Sequence, residues 1–88
     1  MAYEIFITPY ARRQFKKLSV KVGRDIRHAL DILAENPFAN SNDVKKLKGR
    51  DSYRLRVGNY RIIYELENDK LIIHVLEVGH RKDVYARN

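Results

Sequence analysis

Hydrophobic and polar residues alternate between Tyr53 and Tyr64, and this pattern predicts two β-strands. The runs are separated by Gly58-Asn59, a pair that closes tight hairpins because both residues tolerate positive φ. A two-residue turn there predicts five cross-strand pairs: Val57 with Tyr60, Arg56 with Arg61, Leu55 with Ile62, Arg54 with Ile63, and Tyr53 with Tyr64. Since side chains alternate across a strand, one face of the hairpin is apolar and the other carries Arg54, Arg56 and Arg61.

The basic face of this hairpin predicts an anion-binding surface. Arg56 and Arg61 would lie directly opposite each other, and like charges in that position destabilise an antiparallel pair by about 0.2–1 kcal/mol. Arginine binds phosphate bidentately and keeps its charge when partly desolvated. A solvated basic face is the alternative for an arbitrary strand arginine. The paired placement favours a phosphate cradle here.

The pattern before the hairpin predicts a strand and two helices. Residues 3–7 are β-branched and aromatic types typical of a strand. Thr8-Pro9 predicts a helix start, and the helix has apolar positions at Ala11, Phe15 and Leu18. The pattern restarts around Ser19 and predicts a second helix that ends at Asn36, because the residue before a proline avoids the α region. Its apolar face carries Val22, Ile26, Ala29, Leu30 and Leu33.

The remaining chain predicts one more strand. Residues 44–50 form a basic connection into the hairpin, whose second strand continues to about Glu67. A turn at Asn68-Asp69 then predicts a returning strand from Lys70 to Val78, after which the chain leaves the sheet. That turn places apolar residues opposite each other, Tyr64 with Ile73 and Ile62 with Val75. The predicted fold class is α+β: one domain over residues 1–88, with a small antiparallel-rich sheet in the order β-α-α-β-β-β and an αα-hairpin packed on one face.

The charge balance predicts a polyanionic partner. Eighteen Lys and Arg against 11 Asp and Glu give a net charge of +7. The excess is concentrated between Lys45 and Arg61, where one acidic residue, Asp51, stands against Lys45, Lys46, Lys48, Arg50, Arg54, Arg56 and Arg61. Nucleic acid is favoured over a membrane surface, because neither a lipidation signal nor a basic amphipathic helix with aromatic insertion residues is evident.

Several other classes of protein are disfavoured by composition. The chain has no cysteine, so neither a disulfide nor a thiolate metal site is expected. Hydrophobic runs are short and argue against a membrane span, and no secretion signal is evident, so a cytoplasmic location is expected. The three histidines lack metal-ligand spacing, and no cofactor is predicted. His74, within a strand, is interpreted as structural, whereas His80 is a candidate general acid or base.

Four motifs carry a family resemblance: Leu47-Lys48-Gly49, Tyr53-Arg54-Leu55-Arg56, Gly58 to Tyr64, and Val78 to Tyr85. With them the chain resembles the RelE branch of the RelE/ParE toxin superfamily over nearly its whole length. The resemblance implies a small sheet with two helices on one face and an endoribonuclease that cuts messenger RNA in the ribosomal A site. It also implies a cognate antitoxin that wraps the toxin and blocks it, so the expected partners are this antitoxin, the ribosome and messenger RNA.

The resemblance assigns roles to individual residues. Arg61 matches the family arginine that holds the scissile phosphate, and Arg81 matches the one that supports the leaving 5′ oxygen. Tyr85 resembles a tyrosine that stacks on or orients a nucleotide. The other basic residues, Lys45, Lys46, Lys48, Arg50 and Arg54, are expected to bind RNA.

The chain departs from the family pattern at Arg54 and Arg56, where the best-known member has lysines, the second of them a proposed general base. Arginine has a pKa above about 12 and is a poor proton acceptor at neutral pH. Arg56 is therefore expected to act electrostatically. Either the geometry on the ribosome activates the 2′-hydroxyl, or another group such as His80 takes the proton. Attack of that hydroxyl on the adjacent phosphate needs no metal.

Two other functions remain open from the sequence. A gyrase-inhibiting toxin of the ParE branch would share the fold without nuclease activity. A non-catalytic RNA-binding module would use tyrosines as stacking platforms, the candidates being Tyr53, Tyr60 and Tyr64. These tyrosines alternate onto the apolar face of the hairpin, so core packing is the favoured interpretation for them.

Overall fold

The computed structural model describes residues 2–37, 43–47 and 52–80. Its elements follow the chain as β1 (Glu4–Ile7), α1 (Pro9–Lys16), α2 (Val20–Glu35), β2 (Val44–Lys46), β3 (Ser52–Val57), β4 (Tyr60–Glu67) and β5 (Ile72–His80). The strands form one five-stranded sheet in the order β1-β5-β4-β3-β2. β1 pairs with β5 in parallel, and the other neighbours are antiparallel. The predicted α+β class is confirmed, and β2 adds one short strand within the segment predicted as a basic connection.

Both helices begin at the residues that the sequence predicts. Thr8 Oγ1 accepts a hydrogen bond from Ala11 N at 3.3 Å, and the same hydroxyl donates to the Val75 carbonyl at 2.9 Å. Ser19 Oγ accepts from Val22 N at 3.2 Å. Capping of this kind satisfies N–H groups that the first helical turn leaves without partners. Thr8 therefore fixes both the start of α1 and its position against β5.

The core lies between α2 and the face of the sheet that the helices cover. Ile26 and Leu30 of α2 are fully buried, and they pack with buried apolar residues of the sheet: Leu55, Ile62, Tyr64, Ile73, Val75 and Val78. The apolar face predicted for the hairpin is therefore the core face. Among the described residues, no helix is long and apolar enough to cross a membrane.

The central hairpin has the predicted register. All five predicted pairs between β3 and β4 are present, including Arg56 with Arg61. Gly58 in the turn has a φ of 58°, a left-handed conformation that glycine adopts without strain. The local turn signal was sufficient because a two-residue loop leaves no freedom in strand pairing.

The register predicted between β4 and β5 is wrong. Tyr64 pairs with Val75 and Ile62 pairs with Val78, not with Ile73 and Val75 as predicted. Two features cause the difference: the connection runs through Leu71, whose φ is 55°, and the register shifts between Ile63 and Tyr64. Near the connection, the residue of β5 that pairs with Tyr64 lies two positions later than predicted, which leaves the side chains on their predicted faces. Beyond the bulge the difference is three positions, as in the pair of Ile62 with Val78.

Candidate nucleic-acid interface

The sheet face opposite the helices carries the predicted basic residues of the hairpin. Since Leu55 and Ile62 point into the core, Arg54, Arg56 and Arg61 lie on the other face of their strands. Lys45 pairs with Arg54 and so joins them. We call these four residues, Lys45, Arg54, Arg56 and Arg61, the arginine face. The structure thus brings together four of the basic residues singled out in the sequence.

The arginines differ in burial. Arg61 is only 6% exposed, Arg54 is half-buried, and Arg56 is exposed. Arg61 Nη1 donates a hydrogen bond to the Tyr60 carbonyl oxygen at 3.3 Å. Burying a guanidinium costs free energy, and a buried side chain has little freedom to move. Arg61 is therefore a positively charged group held in place before any ligand arrives.

Arg56 is held by an acidic residue that sequence reasoning missed. Its Nη2 lies 3.2 Å from Asp43 Oδ1, and its backbone N–H donates to the Asp43 carbonyl oxygen at 2.7 Å. Asp43 stands immediately before β2, in a segment predicted as a polar loop. The ion pair offsets part of the like-charge repulsion between Arg56 and Arg61. Nothing in the local pattern identifies this contact, because it depends on β2 joining the edge of the sheet.

The rest of this sheet face is acidic. Glu77 pairs with Ile63 beside Arg54, and Glu65 Oε2 accepts a hydrogen bond from Ser52 Oγ at 3.2 Å. Glu65 in turn pairs with His74 of β5. The face is therefore basic toward β2 and the hairpin turn and acidic toward β1. A polyanion is attracted to one half of the face and repelled by the other.

His74 lies in the acidic half and makes a surface contact. Its Nε2 is 2.8 Å from Glu67 Oε1, and its ring packs edge-on against Phe6 with centroids 5.8 Å apart. The hydrogen bond from His74, followed by the charge of Lys70, lowers the pKa of Glu67. This environment agrees with the structural interpretation of His74.

His80 lies on the opposite face from the arginines. The chain was predicted to leave the sheet after Val78, which is wrong, because β5 continues to His80. Gly79 pairs with Arg61, and His80 pairs with Tyr60 on the helix-covered face. The His80 and Tyr60 rings pack edge-on with centroids 5.6 Å apart. Because consecutive residues of a strand point to opposite faces, His80 points away from the arginine face, although its neighbour Gly79 pairs with Arg61.

The tyrosines of the hairpin serve mainly as core residues. Tyr64 is fully buried, and its ring stacks on Tyr53 with centroids 5.5 Å apart. Within the described residues the Tyr64 hydroxyl has no hydrogen-bond partner. Burial, with a smaller contribution from Tyr53, raises the pKa of Tyr64 to about 12. The core interpretation thus fits Tyr53 and Tyr64, whereas Tyr60 stands at the end of the sheet next to His80.

Of the remaining predicted site residues, the structure describes one, Lys46. Lys46 pairs with Tyr53 and so lies on the helix side of the sheet, away from Lys45. Four residues predicted to bind RNA or take part in cleavage lie outside the described residues: Lys48, Arg50, Arg81 and Tyr85. In the part of the chain that is described, no group of three His, Asp or Glu residues is arranged to hold a metal ion.

A groove borders the arginine face. It has a volume of about 610 Å³ and runs between the C-terminal half of α2 and β3. Its lining includes Ile32 and Leu33 on the helix and Leu55 and Val57 on the strand, with Arg56 at its edge. Arg56 therefore belongs to two surfaces, one basic and one mainly apolar.

Comparison with known proteins agrees with the fold and the motifs. The family described as ParE toxin of type II toxin-antitoxin system, parDE, matches residues 5–85. Toxin RelE3 of Methanocaldococcus jannaschii is 50% identical over 68 residues, which cover 68% of this chain and 74% of the relative. The mRNA interferase toxin RelE of Escherichia coli is 26% identical over 88 residues, which cover 98% of this chain and 93% of the relative.

A solved structure gives the same result. The archaeal RelE–RelB complex from Pyrococcus horikoshii contains a chain that superposes with a TM-score of 0.80 at 30% identity, covering 92% of this chain and 97% of that one. The matching family carries the ParE name and the similar proteins carry RelE names, and both names belong to one superfamily of toxins. The chain is therefore a member of the RelE/ParE superfamily of type II toxin-antitoxin toxins, in its RelE branch.

Proposed function

We propose that this protein is a ribosome-dependent endoribonuclease that cleaves messenger RNA in the A site and is neutralised by a cognate antitoxin. The observation that carries the proposal is the arginine face, in which a buried guanidinium, Arg61, lies beside the more exposed Arg56. Such an arrangement suits a phosphate whose negative charge increases during reaction. The relative named mRNA interferase supports the same function.

In the proposed reaction the ribose 2′-hydroxyl attacks the adjacent phosphorus. The bond from phosphorus to the 5′ oxygen of the next nucleotide breaks, which leaves a 2′,3′-cyclic phosphate and a 5′-hydroxyl. The 2′-hydroxyl proton passes to a solvent water, and a proton from solvent is delivered to the leaving 5′ oxygen, so no net proton is gained or lost. Arg61 contacts the phosphate oxygens, Arg56 neutralises charge from the side, and Arg81 supports the leaving oxygen. Tyr85 orients a neighbouring nucleotide.

The structure bears on which group takes the 2′-hydroxyl proton. His80 lies on the helix-covered face with its ring against Tyr60, so it does not share a surface with Arg56 and Arg61. We therefore propose that electrostatic activation on the ribosome replaces a histidine base. Fixed guanidiniums stabilise the alkoxide as well as the phosphorane, because both carry negative charge.

The proposed partners follow from charge. Lys45, Arg54 and Arg56 would contact RNA, and an antitoxin with acidic residues would compete for the same surface. The solved RelE–RelB complex supports an antitoxin partner. Translating ribosomes and messenger RNA place the proposed activity in the cytoplasm.

Expression of the protein alone should test the function. We expect growth arrest and messages cut within codons on translating ribosomes, measured by mapping RNA ends. A supercoiling assay with purified gyrase run in parallel examines the ParE-like alternative. Intact messages during the arrest, together with inhibited gyrase, would overturn the nuclease proposal.

Cleavage should not require a divalent cation. On a message already bound to a ribosome we expect EDTA, added after assembly, to leave the initial cleavage rate unchanged, and the upstream product to end in a 2′,3′-cyclic phosphate. The ends can be identified by mass spectrometry, with a metal-dependent nuclease as the control for chelation. A 3′-hydroxyl product would require attack by water, most simply with metal assistance.

Arg56→Thr should separate function from stability. The variant loses an exposed ion pair to Asp43 and also the repulsion from Arg61, and threonine suits a strand, so the free energy of unfolding should change by less than about 1 kcal/mol. Cleavage should weaken because one side of the phosphate site loses its charge. Urea denaturation and a ribosome-dependent cleavage assay measure the two effects. A less stable but fully active variant would make Arg56 a structural residue.

A further inference from the structure

A second basic surface lies on the other side of the sheet from the arginine face. Helix α1 and its C-cap residue Lys17 together carry four cations, Arg12, Arg13, Lys16 and Lys17, and no acidic residue. All four are exposed, and among the described residues none of them forms an ion pair. The arginine face accounts for none of this charge.

Two of these cations border a pocket of about 510 Å³ between α1 and the ends of β4 and β5. Arg13 and Lys17 line it, together with two tyrosines, Tyr10 and Tyr60, and with His80. The Arg13 guanidinium lies over the Tyr10 ring, 6.0 Å from its centroid. Gln14 fixes the wall, because its Oε1 accepts a hydrogen bond from Val78 N at 2.7 Å.

We infer that this pocket binds a nucleotide of single-stranded RNA, with Arg13 and Lys17 near the phosphates and the base against the aromatic wall that Tyr10 and Tyr60 form. Positive charge combined with aromatic rings is the arrangement by which proteins bind single strands without reading their sequence. The inference rests on the proposed function only in taking RNA as the natural ligand.

The position of the pocket supports RNA over an acidic peptide. Tyr60, in the pocket, and Arg61, on the arginine face, are consecutive residues of β4, so the two basic surfaces meet at one end of the sheet. A short strand of RNA can contact both surfaces by passing around this end. An acidic peptide would use the cations but would gain little from two tyrosine rings.

The test compares two double variants that remove the same charge from α1 and its C-cap. Arg13→Gln with Lys17→Gln alters the pocket, whereas Arg12→Gln with Lys16→Gln alters exposed positions of α1 outside its lining. Both pairs are spaced four residues apart. Binding is measured against salt concentration with a short single-stranded RNA oligonucleotide and, separately, with ribosomes that carry no message.

We expect log K to fall less steeply with log salt for the pocket variant than for the control variant. The magnitude of its slope should be smaller by about 1.4, because two phosphate contacts with a single strand are lost. A change with the oligonucleotide identifies message-type RNA as the ligand, and a change with empty ribosomes alone identifies ribosomal RNA. Equal slopes for both variants in both assays would overturn the inference. So would a selective loss of binding to a glutamate-rich peptide without any loss of RNA binding.

These outcomes are independent of the nuclease proposal, because only binding is measured. A protein that binds RNA through the pocket but cuts no message would leave the inference standing and remove the proposed function. If the protein cuts messages but the pocket and control variants bind RNA with equal salt dependence, the proposed function stands and the inference about the pocket is overturned.

Discussion

Arg61→Ala is expected to reduce the rate of message cleavage on the ribosome by about 100- to 1,000-fold, the usual cost of removing one preorganised donor to a developing negative charge. Arg61 is 6% exposed and held against the Tyr60 carbonyl, so its proposed catalytic position requires no search through rotamers. Ribosome binding should fall much less, because many other basic residues share it. Single-turnover cleavage at saturating toxin separates the two effects.

Two further variants make the result specific. Arg61→Lys keeps the charge but loses the planar fork of donors, and it should retain part of the lost activity. Arg24→Ala removes an exposed arginine of α2 and should leave cleavage unchanged. Equal losses of ribosome binding and cleavage in Arg61→Ala would show that Arg61 only binds RNA. Denaturation of each variant excludes a loss of fold as the cause.

Tyr64→Phe is expected to stabilise the protein, and more strongly at high pH. Within the described residues the buried Tyr64 hydroxyl has no hydrogen-bond partner, so its removal should raise the free energy of unfolding by about 1 kcal/mol at pH 7. Tyr3→Phe is the control, because the Tyr3 hydroxyl donates to Asn68 Oδ1 at 3.0 Å, and its loss should be neutral or destabilising.

The alkaline effect follows from the pKa of Tyr64, which burial raises from 10.0 to about 12. Below pH 10 the phenol is protonated in both states. Between pH 10 and 12 the unfolded chain loses this proton first, so the folded state loses stability, up to about 2.7 kcal/mol for a shift of two units. The difference in stability between Tyr64→Phe and the parent should therefore grow across this range in urea denaturation. A constant difference from pH 9 to 12 would contradict the burial of a neutral phenol.

Local patterns determined much of the fold. The Gly58-Asn59 turn determined the register of the central hairpin, because a two-residue loop fixes every pair that follows it. Thr8 and Ser19 determined the helix starts through bonds to backbone groups three residues away. Strand alternation then placed Arg54, Arg56 and Arg61 on one face. Each of these signals acts over a few residues, so it can be recognised in the local sequence without knowledge of the tertiary structure.

The tertiary structure decided what depends on distant partners. The β4–β5 register could not be predicted, because neither the left-handed conformation of Leu71 nor the bulge after Ile63 stands at a glycine or asparagine that would mark it in the sequence. The Asp43–Arg56 ion pair exists because β2 joins the sheet edge. The separation of His80 from Arg61 follows from the continuation of β5 to His80, because Gly79 pairs with Arg61 and His80 with Tyr60. Sequence alone identified the basic residues, but the assembled sheet decided which of them share a surface, since a shift of one residue moves a side chain to the opposite face.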